Sequence, residues 1–235
     1  MIRVFVDGGS GTTGLRIGER LAARADVERI VLSEERRKDP AARREALNSC
    51  DAASLCLPDA AAREAAAMVE NKDVVVLDAS TAHRTQPGWA YGFAELSGAH
   101  RQAIATGKRI AVPGCHASGF IALVYPLVAC GLLAKDAHLV CHSVTGYSGG
   151  GKSMIADYEA PGRDAALDSP RQYALSQSHK HLPEMVKVCG LDVPPVFTPV
   201  VADFYAGMAV TVALFRDQVR GAKADVEEAL RAHYA

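Results

Sequence analysis

Residues 2–14 read Ile2-Arg3-Val4-Phe5-Val6-Asp7-Gly8-Gly9-Ser10-Gly11-Thr12-Thr13-Gly14. A short apolar run closes on an aspartate, glycines stand at positions 8, 11 and 14, and a helical spacing opens with Leu15, Ile17 and Leu21 apolar. This pattern predicts a strand over 2–6, a tight turn and a helix over 12–25. Glycines in such a turn let backbone N–H groups approach a pyrophosphate, and the helix N-terminus behind them favours negative charge. Gly8, Ser10, Gly11, Thr12, Thr13 and Gly14 are therefore candidate cofactor-binding residues. The rival reading is a strand-to-helix turn with no ligand, and the choice rests on whether the turn opens a βαβ series.

The next eighty residues supply that series. Strands are predicted over 27–32, 52–57 and 74–77, with a helix over 41–48 and an alanine-rich helix capped by Asp59 and running through 70. Residues 74–77 are wholly apolar, as in a strand buried on both faces. Alternating strands and helices predict a parallel, doubly wound α/β sheet of the Rossmann type. At the end of the second strand an acidic residue binds ribose hydroxyls, whereas a basic one accepts the extra phosphate of NADP. Ser33 stands where the acid is expected, and Arg36 and Arg37 come after Glu34 and Glu35. Ser33, Arg36 and Arg37 thus point to NADP(H). The competing reading is a solvated charged loop.

The pattern changes after residue 80. Residues 89–100 are irregular and aromatic, 110–112 form a short strand, and then comes a long apolar helix containing Pro126. Strands are predicted over 137–144, 195–202 and 208–215, the last two pairing antiparallel across a turn at 203–207, with a final helix over 225–234. This reads as a second, mixed α+β unit, giving a dinucleotide-binding domain at 1–114 and a second domain at 115–235.

The 235 residues carry a formal net charge of −1 and are 49% hydrophobic. No global field attracts nucleic acid or an anionic membrane. No apolar stretch reaches the roughly 18 residues of a membrane span, and the start shows no signal-peptide region. Six cysteines without CxxC spacing fit a reduced, cytoplasmic compartment.

Chemistry gathers in four further stretches. In Pro113-Gly114-Cys115-His116-Ala117-Ser118-Gly119, Cys115 falls where a strand turns into a helix, and the positive helix end favours a thiolate. Cys50, Cys56, Cys130, Cys141 and Cys189 lie in apolar surroundings and are expected to be inert. In Ser178-His179-Lys180-His181-Leu182-Pro183-Glu184 two histidines and a glutamate supply acid–base groups for a thiol reaction. A metal site is the rival there, but no fourth ligand is evident and none is expected. His116 and His142 are taken as structural. The second glycine loop, with Ser148, Gly149 and Lys152, has backbone N–H groups and a cation suited to a carboxylate or phosphate. Ser80 and Arg84, in Asp78-Ala79-Ser80-Thr81-Ala82-His83-Arg84, come just after a parallel strand, where ligands bind and an arginine can grip phosphate.

The ordered set DGGSGTTG, DASTAHR, PGCHASG, GYSGGGK and SHKHLPE resembles the N-acetyl-γ-glutamyl-phosphate reductases of arginine biosynthesis, particularly their shorter form, over essentially the whole chain. The aspartate-semialdehyde dehydrogenases share the architecture but match less well around PGC and HKHLPE. The resemblance implies a Rossmann domain joined to a domain like that of glyceraldehyde-3-phosphate dehydrogenase. It implies NADPH-dependent reduction of an acyl phosphate to a semialdehyde through a thioester on Cys115. His179 is implied as the acid–base group, His181 and Glu184 as orienting or substrate-binding groups, and Arg84 as facing the phosphate. A homo-oligomer, dimer or tetramer, built through the second domain is implied too. Aspartyl or aminoadipyl phosphate is the alternative substrate. A cofactor-free thiol acyltransferase and a non-catalytic remnant are the alternative classes. Chains of this family are expected to continue past the position of Ala235, returning to the nucleotide domain.

Overall fold

A computed structural model describes residues 1–9 and 11–235; Ser10 and the side chains of Thr12 and Leu15 lie outside the described residues. The chain divides into two compact units, Met1–Pro113 and Gly114–Ala235.

The first unit runs β1 (Ile2–Asp7), α1 (Thr12–Ala22), β2 (Val27–Ile30), α2 (Pro40–Ser49), β3 (Ala52–Leu55), α3 (Asp59–Ala67), β4 (Val75–Asp78), β5 (Ala90–Tyr91), α4 (Gly98–Thr106) and β6 (Arg109–Ala111). Its six strands form one parallel sheet in the order β2-β1-β3-β4-β6-β5. The chain leaves β1 to one side for β2 and returns on the other for β3. The end of β1 is therefore a topological switch point, where doubly wound sheets open a ligand crevice. Phe5, Leu47, Leu55, Val74 and Val76 form the centre of the core.

Local chemistry sets the helix limits. Asp39 caps α2, accepting from Ala41 N at 3.0 Å, and Pro40 opens it. Asp59 is the first residue of α3 rather than its cap: its carboxyl accepts from Thr81 N at 3.0 Å and from the Thr81 hydroxyl, and Pro58 takes the cap position. That helix stops at Ala67, short of the expected 70. Asn48 intercepts the backbone there, donating to Met68 O at 2.8 Å and accepting from Glu70 N at 2.7 Å and Asn71 N at 2.8 Å. Along β4 only one face is sealed: Val76 is fully buried, while Val75 and Leu77 are partly exposed.

The second unit runs α5 (Cys115–Ala129), β7 (Val140–Gly146), α6 (Gly151–Glu159), β8 (Arg171–Gln172), α7 (Leu182–Cys189), β9 (Val196–Ala202), β10 (Met208–Ala213) and α8 (Lys223–Tyr234). Its sheet has the order β10-β7-β9-β8. The expected hairpin between the last two strands is absent. β7 lies between them, parallel to β9 and antiparallel to β10. The segment at 203–207 crosses the end of β7 instead of turning back, because its carbonyls are claimed there. Gly146 N donates to Gly207 O at 3.1 Å, Tyr147 N to Phe204 O at 2.9 Å and Ser148 N to Tyr205 O at 2.9 Å. Helix α5 rests against α7, α8 and β10, which fixes where its first residue stands.

Candidate active site

The glycine loop of the first unit is built for close approach. Gly8 has φ +82, and a Cβ there would stand 2.2 Å from the Cys56 carbonyl oxygen. A Cβ on Gly14 would stand 2.4 Å from the Gly8 carbonyl oxygen. Neither position admits another residue without moving backbone. Gly11 N donates to Gly8 O at 3.0 Å, closing the turn, and α1 begins behind Gly11 with no side-chain cap. Among the described residues no side chain caps its first N–H groups, an arrangement that suits an anion. Thr13 is exposed on this turn, and Thr12 supplies backbone to it. At the base of the loop Asp7 is buried and paired with Arg43 at 2.9 Å.

Beyond β2, Ser33 O accepts from Arg36 N at 3.1 Å and Arg37 N at 2.9 Å. Arg36 pairs with Glu45 at 3.3 Å and Arg37 with Glu34 at 2.5 Å. Both pairs are exposed and worth about 0–1 kcal/mol, so a phosphate competes with them easily.

After β4 the buried carboxyl of Asp78 organises its own loop. It accepts from Ser80 N at 2.9 Å and from the Ser80 hydroxyl at 2.8 Å, and it meets His83 Nδ1 at 2.6 Å. The His83 ring stacks on Trp89 at 3.9 Å. Arg84 donates from Nε to Val112 O at 2.9 Å and from Nη2 to Ala79 O at 3.1 Å. It ties the loops after β4 and β6 together at the carboxyl end of the sheet. The Ser80 hydroxyl is directed at Asp78, so its part is to shape this loop.

In the second unit Cys115 is the first residue of α5 and is exposed. The turn into it is held from below. Gly114 N donates to Glu184 Oε2 at 3.1 Å, and the Glu184 side chain on α7 is 1% exposed. His181 Nε2 stands 4.0 Å from Glu184 Oε1. His181 N donates to His179 Nδ1 at 3.2 Å. A backbone N–H can only donate, so the His179 proton is carried on Nε2 in the neutral ring. Burial, with Lys180 beside it, moves His179 below the usual histidine range. His116 is 3% exposed and hydrogen-bonds Ser143 Oγ through Nδ1 and the Tyr173 hydroxyl through Nε2, each at 2.7 Å. Burial, with the nearby charge of His179, lowers His116 to about 4. Burial and then the charge of Cys115 raise Tyr173 to about 12. The rings of His179 and His181 lie 4.6 Å apart, and Tyr173 lies 6.0 Å from His179. The result is a partly buried cluster of acid–base groups around His116, next in the chain to the exposed thiol of Cys115.

Two sequence profiles divide the chain along these lines. The semialdehyde dehydrogenase NAD binding domain matches residues 3–105, and the semialdehyde dehydrogenase dimerisation domain matches residues 115–235. The chain belongs to the semialdehyde dehydrogenase family. Within it, the chain is 51% identical over 212 residues to the N-acetyl-gamma-glutamyl-phosphate reductase of Chelativorans sp. (strain BNC1), covering 90% of this chain and 68% of that one. It is 45% identical over 237 residues to the enzyme of the same name from Rhizobium etli (strain CIAT 652), covering 99% and 76%. Among solved structures, aspartate semialdehyde dehydrogenase from Francisella tularensis superposes with a TM-score of 0.73 at 12% identity, covering 100% of this chain and 81% of that one. The Candida albicans aspartate semialdehyde dehydrogenase with NADP gives 0.67 at 16%, covering 98% and 76%. At those identities the likeness is one of fold.

The second glycine loop of this semialdehyde dehydrogenase chain departs from expectation. The N–H groups of Gly146, Tyr147 and Ser148 are bonded to the 203–207 segment, so they hold no anion. Ser148 and Gly149 lie in a short 3₁₀ turn, and what remains for a ligand is the uncapped first turn of α6 with exposed Lys152. Among the described residues no group of three or more His, Cys, Asp or Glu side chains is gathered as for a metal ion.

All six cysteines are free thiols. Cys50, Cys141 and Cys189 are buried, and burial raises the last two to about 12. Cys130 is exposed, contrary to expectation, because α5 ends there at the surface. His142 is exposed and meets Thr198 Oγ1 at 3.2 Å. His116, by contrast, is central to the cluster. Ser143 and Tyr173 carry no motif; only alternation along β7 hints that Ser143 faces inward.

Proposed function

We propose that this enzyme reduces N-acetyl-γ-glutamyl phosphate to the γ-semialdehyde and phosphate, using NADPH, through a thioester on Cys115. The observation that carries the reading is the exposed Cys115 at the head of α5, above buried Glu184, His181 and His116. Residues 1–114 then serve as the dinucleotide-binding domain and 115–235 as the catalytic and dimerisation domain. The names of relatives at 45–51% identity support this substrate over aspartyl or aminoadipyl phosphate.

The cradle of Gly8 and Gly14, which any Cβ would fill, fits a dinucleotide pyrophosphate. Gly11 caps α1 and Thr12 and Thr13 open it beside that cradle; Ser10 is a candidate from the sequence alone, and Ser33, Arg36 and Arg37 suit the 2′-phosphate. When bound, NADPH supplies the hydride. Cys115 Sγ attacks the acyl carbon and the C–O bond to phosphate breaks. By the family resemblance Arg84 faces the phosphate, with Ser80 shaping its loop; in the second unit Lys152 is the exposed cation at the start of α6, with Ser148 and Gly149 shaping the loop before it. His179 Nε2 donates to departing or developing oxygens. His181 and Glu184 hold the turn that presents the thiol. After reduction, the C–S bond breaks and the aldehyde leaves Cys115 as thiolate.

Among the described residues no helix is long and apolar enough to cross a membrane. Six free thiols suit the cytoplasm. The assembly proposed is a homo-oligomer, dimer or tetramer, joined through the second unit. The test is the reverse reaction. Purified protein with N-acetylglutamate semialdehyde, phosphate and NADP should generate the reduced-nicotinamide absorbance band, and Cys115→Ala should not. Folded wild-type protein giving no band would overturn the assignment.

A further inference from the structure

His116 joins two groups that the thioester reading leaves unused. Its Nδ1 meets Ser143 Oγ and its Nε2 meets the Tyr173 hydroxyl, both at 2.7 Å. Burial sets the direction of these two bonds. Ser143 is 0% exposed, and among the described residues its Oγ has no other partner. A buried hydroxyl that only accepted would leave its O–H unpaired, at a cost of about 1–3 kcal/mol. Ser143 therefore donates to Nδ1. A neutral imidazole with Nδ1 accepting carries its proton on Nε2, which then donates to the Tyr173 oxygen. The neutral state is secured by burial and by His179, which together hold His116 near 4.

The Tyr173 oxygen thus accepts from below, and its own O–H has no partner among the described residues. It is half-buried, 6.0 Å between rings from His179, and hydrogen-bonded to the residue next to Cys115 in α5. We infer that Ser143 and His116 are positioning residues that fix the polarity of the Tyr173 hydroxyl, so that it donates to the acyl oxygen of the group carried on Cys115. The O–H stays on Tyr173 throughout; the role is a hydrogen bond to an oxygen that gains negative charge, not a proton transfer. That the charge of Cys115 reaches the phenol agrees with this placement.

A double-mutant cycle tests it. Tyr173→Phe should lower kcat about 100-fold with KM within about twofold, as expected for loss of a donor to a developing oxyanion. Ser143→Ala should lower kcat about fivefold in the wild-type background and less than twofold in the Y173F background, because its effect passes through the phenol. Alkylation of Cys115 by iodoacetamide, which develops no oxyanion, should stay within about twofold in every variant. If S143A does not fold, His116→Phe keeps a ring without its hydrogen bonds and replaces it in the cycle. Equal losses in both backgrounds, no loss in S143A, or alkylation falling in parallel would overturn the inference. It rests on the Cys115 thioester reading, yet the two fail separately. Wild-type protein without turnover sinks that reading; wild-type turnover with additive losses sinks only the relay.

Discussion

Glu184→Ala tests what holds Cys115 in place. The Glu184 side chain is 1% exposed and accepts the Gly114 N–H at 3.1 Å, at the turn that starts α5. Truncation leaves that buried N–H unpaired, costing about 1–3 kcal/mol. It also opens a cavity under the turn, adding on the order of 2 kcal/mol. A total near 4 kcal/mol corresponds to a fall in Tm of roughly 10 °C for a chain of this size. Glu184→Gln keeps an oxygen for Gly114 and nearly the same volume, so its loss should stay near 1 kcal/mol. The assays are urea unfolding and iodoacetamide alkylation of Cys115 in the native protein. E184A should be both unstable and altered in thiol reactivity, and E184Q should sit near wild type in stability. E184A as stable as wild type, or E184Q as damaged as E184A, would refute the tethering argument.

The same structure sets three further outcomes. His116 is lowered from 6.5 to about 4 in the folded state, so the unfolded chain binds the extra proton between those values. Stability should decline as pH falls through that window, by up to about 3 kcal/mol, and the urea midpoint of His116→Phe should lose much of this pH dependence. Gly8→Ala forces a Cβ to 2.2 Å from the Cys56 carbonyl at a φ of +82, so NADPH affinity by fluorescence titration should fall at least tenfold, on the order of 1.4 kcal/mol, while Cys115 alkylation persists. Replacing Arg36 and Arg37 by alanine should erase about ten- to a hundredfold of the preference for NADPH over NADH, and an unchanged kcat/KM ratio between the two cofactors would remove these arginines from the phosphate site.

The sequence is most legible where the information is local. Gly8, Gly11 and Gly14 after an apolar run, and Cys115 at a strand-to-helix turn, can be read because each leaves a signal within a few residues, even though the clash that bars a Cβ at Gly8 comes from the distant Cys56 carbonyl. The contacts that make the site cannot. Gly114 meets Glu184 from 70 positions away, and His116 meets Tyr173 from 57. Periodicity carries no record of such pairs, so His116 reads as filler in the sequence, and nothing there marks Tyr173 or Ser143. The hairpin expected from 195–215 fails for the same reason. Adjacent strands with a short connection suggest pairing, but β7 lies between them, and the N–H groups of Gly146 at its end and of Tyr147 and Ser148 just beyond bind the connecting segment. The exposure of Cys130 is equally hidden, because an apolar run does not tell where a helix surfaces.

The central claim is that Cys115 carries the acyl group. Protein mixed with N-acetylglutamyl phosphate in the absence of NADPH, quenched in acid and digested, should show the acyl mass on the peptide containing Cys115. Adding NADPH before the quench should clear it, and Cys115→Ala should never acquire it. Turnover of the acyl phosphate with no adduct on that peptide, or with the adduct on another cysteine, would contradict the account.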